Sequence, residues 1–429
     1  MSDPRRTPEL SARVASSDPS EFLPVRRQAD RQEPLGSPTL LDALDLDQGR
    51  WLLVLEVAAD LLVSAVVEVG EGLRRALAGD GVMEELLGCV ARGDEQRGFT
   101  FRRLGTIGEW SGERSIDVDQ SNESVVVGDA AVVKRLVYTV PGNQRAMVLP
   151  AHLVAAGFDE MPAPLGHAGW QHVDGVAPLV SISTYLPDAR DGWDWYVELL
   201  ERSLVDRSVD AIGPAAALGE ITARLHAALA TPSETLPAPA TTVGEDTVAG
   251  WRRSAEADLD AAIASIDGDE GSRLRERAGA VREELAQLGG ETVSIPIHGD
   301  LHVGQFLRWR EGLAVSDLEG DPLGPGSLEG PAARDVAALV QSLDHVGRIV
   351  ERRRGASLAE WIRDASARCV AAYRDELASL GASELFDERL VRPLRVAQEL
   401  HEFVYAARYL PSWRYVPDRA LAAILDGTS

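Results

Sequence analysis

The chain has 429 residues, too many for one compact core, so two or three domains or lobes are expected. Its 43 basic against 68 acidic side chains leave a net charge of −25, which excludes nucleic acid as a partner, because no basic face could neutralise phosphates in bulk. Only Cys89 and Cys369 are cysteines, far apart and in no metal spacing, which excludes a disulfide framework or structural zinc and points to a reducing, cytoplasmic compartment.

Residues 1–36 are rich in Ser, Pro, Arg, Asp and Glu, show no sustained period, and read as a disordered tail without the apolar core of a signal peptide. Residues 37–98 read as a small N-terminal cap. Its apolar run from Trp51 to Val69 is broken by Glu56, Asp60 and Glu68, too charged for a membrane span, and reads as strands. A turn and an amphipathic helix follow in RRALAGDGVMEELLGCVARG.

Residues 99–186 are β-rich. DQSNESVVV gives a polar turn into a strand, VVKRLVYTV a second strand, Met147 to Ala156 a helix, and PLVSISTYL a buried strand. Residues 187–429 are helical. Leu218, Ile221, Leu225 and Leu229 form one core-facing stripe, two charged helices run to about Leu288, TVSIPI is strand-like, and long helices return between Ala332 and Tyr409. A β-rich lobe followed by a helical one is an α+β, two-lobe layout.

Of the 43 basic residues a single one, Lys134, is lysine. Codon bias explains a preference for arginine but not one retained lysine, and the two differ where a compact ammonium must reach a phosphate from a strand. The segment IPIHGDLHVGQFLRWREGLAVSDLEGDP supplies the other groups that phosphoryl transfer requires. Asp300 with an amide five positions on, at Gln305, reproduces the spacing of a kinase catalytic loop, and Asp317 stands where such enzymes hold a metal with an aspartate. A glutamine oxygen suits magnesium, a hard ion. Lys134 in AVVK matches the strand lysine that steadies the α- and β-phosphates. His298 and His302 have a spacing compatible with zinc, but no third ligand is evident, so they read as loop-shaping residues.

HGDLHVGQ…SDLEGDP resembles the HGDxHxGQ…DFEGEP signature of the bacterial maltokinases, within the aminoglycoside-phosphotransferase-like superfamily of protein-kinase-like folds. DQSNESVVVGDAAVVK, PLGHAGW, YLPDARDGWDW, ARDVAALVQSLDH and HEFVYAARYLPSW extend the resemblance over about residues 40 to 425. It implies ATP and Mg2+ as cofactors, Asp300 as catalytic base, Gln305 and Asp317 as magnesium ligands, and Lys134 as the ATP-phosphate lysine. It also implies an SNES turn, with Ser121, Asn122 and Ser124, over the phosphates, and a hinge around Ser183 and Tyr185 beside adenine. Asp335 would tether the catalytic loop from a helix.

Two departures from the maltokinase pattern bear on the substrate. NQRAMVLPAHLVAAGF has no acid where maltokinases carry the glutamate that pairs with the ATP lysine. The acceptor end reads YAARYLPSW in place of YEARNRPxW. The chain is therefore more similar to the maltokinase-related glucosamine kinases, which make glucosamine 6-phosphate. Carboxylates beside an ammonium and aromatic faces for a sugar ring would then come from Glu402, Tyr405, Trp413 and Arg419, with Asp300 and His302 at the reacting hydroxyl. Maltose or an aminoglycoside is the alternative acceptor, and a catalytically silent sugar sensor the alternative class. The expected partner is a small sugar or amino sugar; no nucleic acid or membrane partner is expected, and the chain is compatible with a monomer.

Overall fold

The apolar run from Trp51 to Val69 becomes two strands of an antiparallel sheet because both of its faces are buried. The computed structural model describes residues 6–23, 36–58, 61–70, 72–116, 122–320, 329–408 and 413–427. Thr39–Asp45, Arg50–Ala58 and Leu61–Val69 pair in succession, and Leu73–Arg75 and Tyr138–Thr139 both add to Leu61–Val69. On one face Leu52, Val54 and Val66 pack with the helix Val82–Arg92 and with Phe99, Phe101, Val125, Val133 and Leu179. On the other, Trp51, Leu53, Leu55, Val63 and Val67 meet Leu10, Val14, Phe22 and Leu23.

That second contact corrects the disordered-tail reading for residues 6–23. Arg6–Ser16 is helical and Pro19–Phe22 forms a 3-10 turn. Four apolar side chains, too few to show a period within polar sequence, are at most 4% exposed there. At roughly 1.5–3 kcal/mol per fully buried large apolar side chain, they outweigh the polar composition around them. The remainder of the expected tail, residues 24–35, lies outside the described residues.

The second sheet has seven strands in the order Glu95–Gln96, Phe99–Arg103, Pro164–His172, Gly175–Thr184, Ala131–Arg135, Glu123–Val127, Glu113–Ser115. VVKRLVYTV does not run as the single strand expected. It leaves this sheet after Arg135 and joins the first at Tyr138. The cause is Arg135, fully buried. Its guanidinium lies 2.7 Å from Glu123 and donates to the Ser64 carbonyl of the first sheet. Ser64 N–H donates to Val137 O at 2.9 Å, and Val137 N–H to Asn122 Oδ1 at 3.2 Å. A buried charge that costs several kcal/mol if unpaired thus dictates where the strand breaks.

The chain forms two compact units, Met1–Ala151 with Pro162–Pro187, and His152–Met161 with Asp188–Gly320 and Pro325–Ser429. Residues of the cap expected at 37–98 and of the β-rich lobe at 99–186 contribute to one apolar core in the first. The second unit is built on the helices Gly192–Val205, Gly213–Leu229, Glu245–Ser265, Gly268–Leu285, Ala333–Arg354, Ala359–Ser379, Val391–Arg408 and Tyr415–Leu425. Leu218, Ile221, Leu225 and Leu229 are buried as the stripe requires. Thr292–Pro296 is the strand read in TVSIPI, and Phe306–Trp309 pairs with Gly312–Val315 in a hairpin. No helix among the described residues is long and apolar enough to cross a membrane.

Candidate active site

The strand Thr292–Pro296 delivers its chain into a turn, His298-Gly299-Asp300, whose first two amides are held by one side chain. Asp335, 1% exposed near the start of the helix Ala333–Arg354, accepts from His298 N–H at 2.6 Å and Gly299 N–H at 2.9 Å. Gly299 has φ +83°, a conformation that a side chain would resist. Asp335 also accepts from His226 Nε2 at 3.0 Å, and the Tyr373 hydroxyl donates to His226 Nδ1 at 2.8 Å. Burial alone would raise the Asp335 carboxyl. The His226 bond, the electrostatic pull of His226 and His298 and the Gly299 amide outweigh it and hold the group below its ordinary value.

Both His298 nitrogens are engaged within the turn. Nε2–H donates to Ser316 O at 2.8 Å, and Nδ1 accepts from Asp300 N–H at 3.3 Å. This ring is a brace between the Asp300 turn and the Ser316–Asp317 segment, which accords with its reading as a loop-shaping residue.

Asp300 keeps 60% of its side chain exposed, so solvent and any acceptor reach it. The surrounding protein is nevertheless dense enough that desolvation raises its carboxyl above the ordinary range. His302 and His298 draw it back down, and Asp317 and Glu402 push it up. His302 Nε2 lies 3.9 Å from Asp300 Oδ2. Its Nδ1 accepts from Gly304 N–H at 3.1 Å, and its Nε2 lies 3.3 Å from the Gln305 side-chain nitrogen, so the ring is tied to the same short turn on both edges. The Trp193 indole stacks on the same imidazole, with centroids 5.6 Å apart at 30°. That close approach requires Gly192, where a Cβ would fall 1.6 Å from Val303 O.

Gln305 closes the short 3-10 turn Val303–Gln305 and is 8% exposed. Its carbonyl accepts from Ser316 N–H at 2.8 Å, and Ser316 Oγ donates to Gln305 Oε1 at 3.3 Å. The neighbouring Asp317 sits at φ +64°, a left-handed conformation uncommon for a residue with a side chain. The segment thus holds an amide oxygen against Ser316 and carries a carboxylate at the next position, an all-oxygen pair of the kind a hard cation takes alongside water and phosphate oxygens. Among the described residues no three His, Cys, Asp or Glu side chains cluster in a way that could hold a metal by themselves.

In the first unit Lys134 lies half-buried on Ala131–Arg135, with Ser124 and Ser181 as its cross-strand neighbours. Asn122 is buried and its Oδ1 serves Val137, so that side chain shapes the turn. Ser121 lies outside the described residues. Ser183 pairs with Val132 and Pro164 in the sheet. Tyr185 N–H donates to Ala130 O at 3.2 Å, and its ring is covered by Arg114 at 4.4 Å.

In the second unit, Glu402 and Tyr405 lie half-buried on the helix Val391–Arg408, and Gln398 donates to Glu402 at 3.3 Å. Trp413 packs edge-on against His345 (6.3 Å, 88°) and against Tyr415 (6.1 Å, 65°). Arg419 is exposed and lies over the Tyr415 ring at 6.0 Å, with Arg352 over the same ring at 4.3 Å. Tyr415 thus lies against both Arg419 and Trp413.

Sequence reasoning missed the His226–Tyr373 support of Asp335, the Trp193 stack and the buried His345–Glu399 pair. A histidine inside the apolar stripe of ARLHAAL was the one available signal for the first.

No family model matches the chain. It is 42% identical over 443 residues to a glucosamine kinase of Streptacidiphilus jiangxiensis, covering 98% of each chain. It is 40% identical over 410 residues to a glucosamine kinase of Mycolicibacterium smegmatis, covering 91% of this chain and 99% of that one. Among solved structures, a glucosamine kinase crystal form superposes with a TM-score of 0.81 at 38% identity, over 97% of this chain and 99% of the other. A glucosamine kinase in complex with glucosamine, ADP and inorganic phosphate gives 0.76 at 38% identity, over 96% and 98%.

Proposed function

The chain belongs to the glucosamine kinase family, and from that premise we propose that it transfers the γ-phosphoryl group of ATP to glucosamine, giving glucosamine 6-phosphate and ADP. The observation that carries this reading is the Asp300 carboxylate, exposed on a turn whose two preceding amides are clamped by buried Asp335. Catalysis of phosphoryl transfer is mostly positioning and charge, and a clamped, accessible carboxylate supplies the positioning.

In the proposed reaction the 6-hydroxyl oxygen of the sugar forms a bond to the γ-phosphorus while the bridge to the β-phosphate breaks. The hydroxyl proton passes to Asp300, and ADP leaves with the bond pair. His302, braced by Trp193 and Gly304, favours the ionised form of Asp300 that accepts that proton. Gln305 and Asp317 would hold magnesium, which supplies neutralising charge for the phosphate oxygens. Lys134 steadies the α/β-phosphates, with the turn at Asn122 and Ser124 and the strand end at Ser183 and Tyr185 forming the rest of the nucleotide-binding surface. Glu402 offers a carboxylate to the sugar ammonium, Tyr405 and Trp413 offer ring faces, and Arg419 acts by holding Tyr415 against Trp413.

The test is ADP release with ATP and magnesium against glucosamine, glucose, N-acetylglucosamine, maltose and kanamycin. Turnover should be strongest with glucosamine; turnover confined to maltose, or none on all five, would overturn the substrate reading. Asp300→Asn should retain nucleotide binding while kcat falls by about 10²–10⁴. Near-native turnover in that variant removes Asp300 from the role of base.

A further inference from the structure

Behind the proposed acceptor residues lies a pair of titratable groups that the reaction above does not use. Glu399 is 0% exposed and His345 5% exposed, on the facing helices Val391–Arg408 and Ala333–Arg354. His345 Nε2 lies 3.5 Å from Glu399 Oε1. Among the described residues, neither that nitrogen nor either Glu399 oxygen completes a hydrogen bond. Buried polar groups left so far from satisfaction are rare, because each costs about 1–3 kcal/mol, and they call for an explanation.

The surroundings supply one. The edge of His345 meets the Trp413 ring. Glu402, one helical turn beyond Glu399, carries the same charge and acts on His345, on Glu399 and on Asp300 alike. Asp344, beside His345, is bound by Arg348 at 3.1 Å and still acts on both groups of the pair. Arg395, one turn before Glu399, donates to Gln341 at 3.3 Å.

We propose that His345 and Glu399 are positioning residues of the acceptor subsite: Glu399 orients the imidazole, the imidazole supports Trp413, and the pair together sets the charge beneath Glu402. This rests on the amino-sugar reading of the site. Burial raises Glu399 to about 7, with the neighbouring His345 pulling the other way. Burial would lower His345, but Glu399, Glu402 and Asp344 outweigh it and hold the imidazole above its ordinary value. The two groups therefore titrate as a unit that grows more negative as pH rises through neutral. When pH rises through the folded value of His345 the last proton leaves, and the pair becomes a single negative charge. That charge adds to Glu402 in holding a sugar ammonium.

The test combines two measurements on Glu399→Gln, which keeps the shape and removes the buried charge. The first is the imidazole titration of His345 by NMR, assigned by difference with His345→Gln. The native ring should titrate above the ordinary histidine value and fall in Glu399→Gln. The second is the KM for glucosamine against pH, taken as the ratio of variant to native so that the titration of the sugar amine cancels. That ratio should rise about fivefold from about pH 6 to pH 8.5, the size of one charge acting across a partly hydrated gap, while the KM for ATP stays level. A flat ratio, or a native His345 that titrates at or below its ordinary value, overturns the proposal. Absence of glucosamine turnover in the native protein would instead sink the substrate reading, and the NMR measurement would still decide the pair.

Discussion

Asp335→Asn is the most informative single change, because one carboxylate holds the catalytic turn. Its oxygens accept from three buried donors: His298 N–H, Gly299 N–H and His226 Nε2–H. In the asparagine variant the cheapest placement keeps the remaining oxygen on His298 and His226 and turns the NH2 toward Gly299. One buried amide is then left facing another donor, costing about 2–3 kcal/mol, and the two surviving bonds lose their charge assistance at about 1 kcal/mol each. The sum is about 4 kcal/mol, and at roughly 2–4 °C per kcal/mol for a unit of this size the midpoint should fall by about 10 °C.

Releasing Gly299 also frees Asp300 to drift, and a displacement near 1 Å is enough to cost kcat about 10²-fold. Calorimetry and coupled ADP release on the same preparation would read both effects, with the KM for ATP expected to change little. The pH sign is defined as well. Asp335 is held below its ordinary value, so its contribution to stability is present above the unfolded value of about 3.9 and disappears as pH falls through the folded one. The stability gap between native and variant should therefore close in acid. A midpoint within 2 °C of native, as a rough limit, together with unchanged kcat would refute the clamp argument.

Gly192→Ala would drive a Cβ to 1.6 Å from Val303 O, a backbone atom that can yield only by shifting the turn that carries His302 and Gln305. We expect a loss of about 1–3 kcal/mol in thermal stability and a disproportionate fall in kcat, and native turnover would show that this contact is not needed. Lys134→Arg retains the charge but not the compact ammonium, so the KM for ATP should rise about tenfold or more with glucosamine KM unchanged; unaltered ATP kinetics would make the lone lysine incidental.

Much of this site is legible from local sequence, because its groups are close together in the chain. Asp300, Gln305 and Asp317 lie within one strand–turn–hairpin segment, where spacing alone determines which side chains can meet. The stripe of Leu218, Ile221, Leu225 and Leu229 is legible for the same reason, since helical period brings i, i+3 and i+7 to one face. The β-rich and helical halves follow from such local patterns, and the isolated lysine on its strand from residue counting.

What only the tertiary structure decides are contacts between residues far apart in the chain, where no period or spacing applies. Asp335 reaches His226 across 109 positions, Arg135 reaches Ser64 across 71, and His345 meets Glu399 across 54. Each is a buried polar contact whose partner depends on which faces pack together. The same holds for the helix Arg6–Ser16, whose composition reads as disordered until the Trp51 face of a distant sheet offers its few apolar side chains somewhere to bury. Local pattern determined which residues can do the chemistry; long-range burial, with its high cost for an unpaired polar group, decided which residues hold them still.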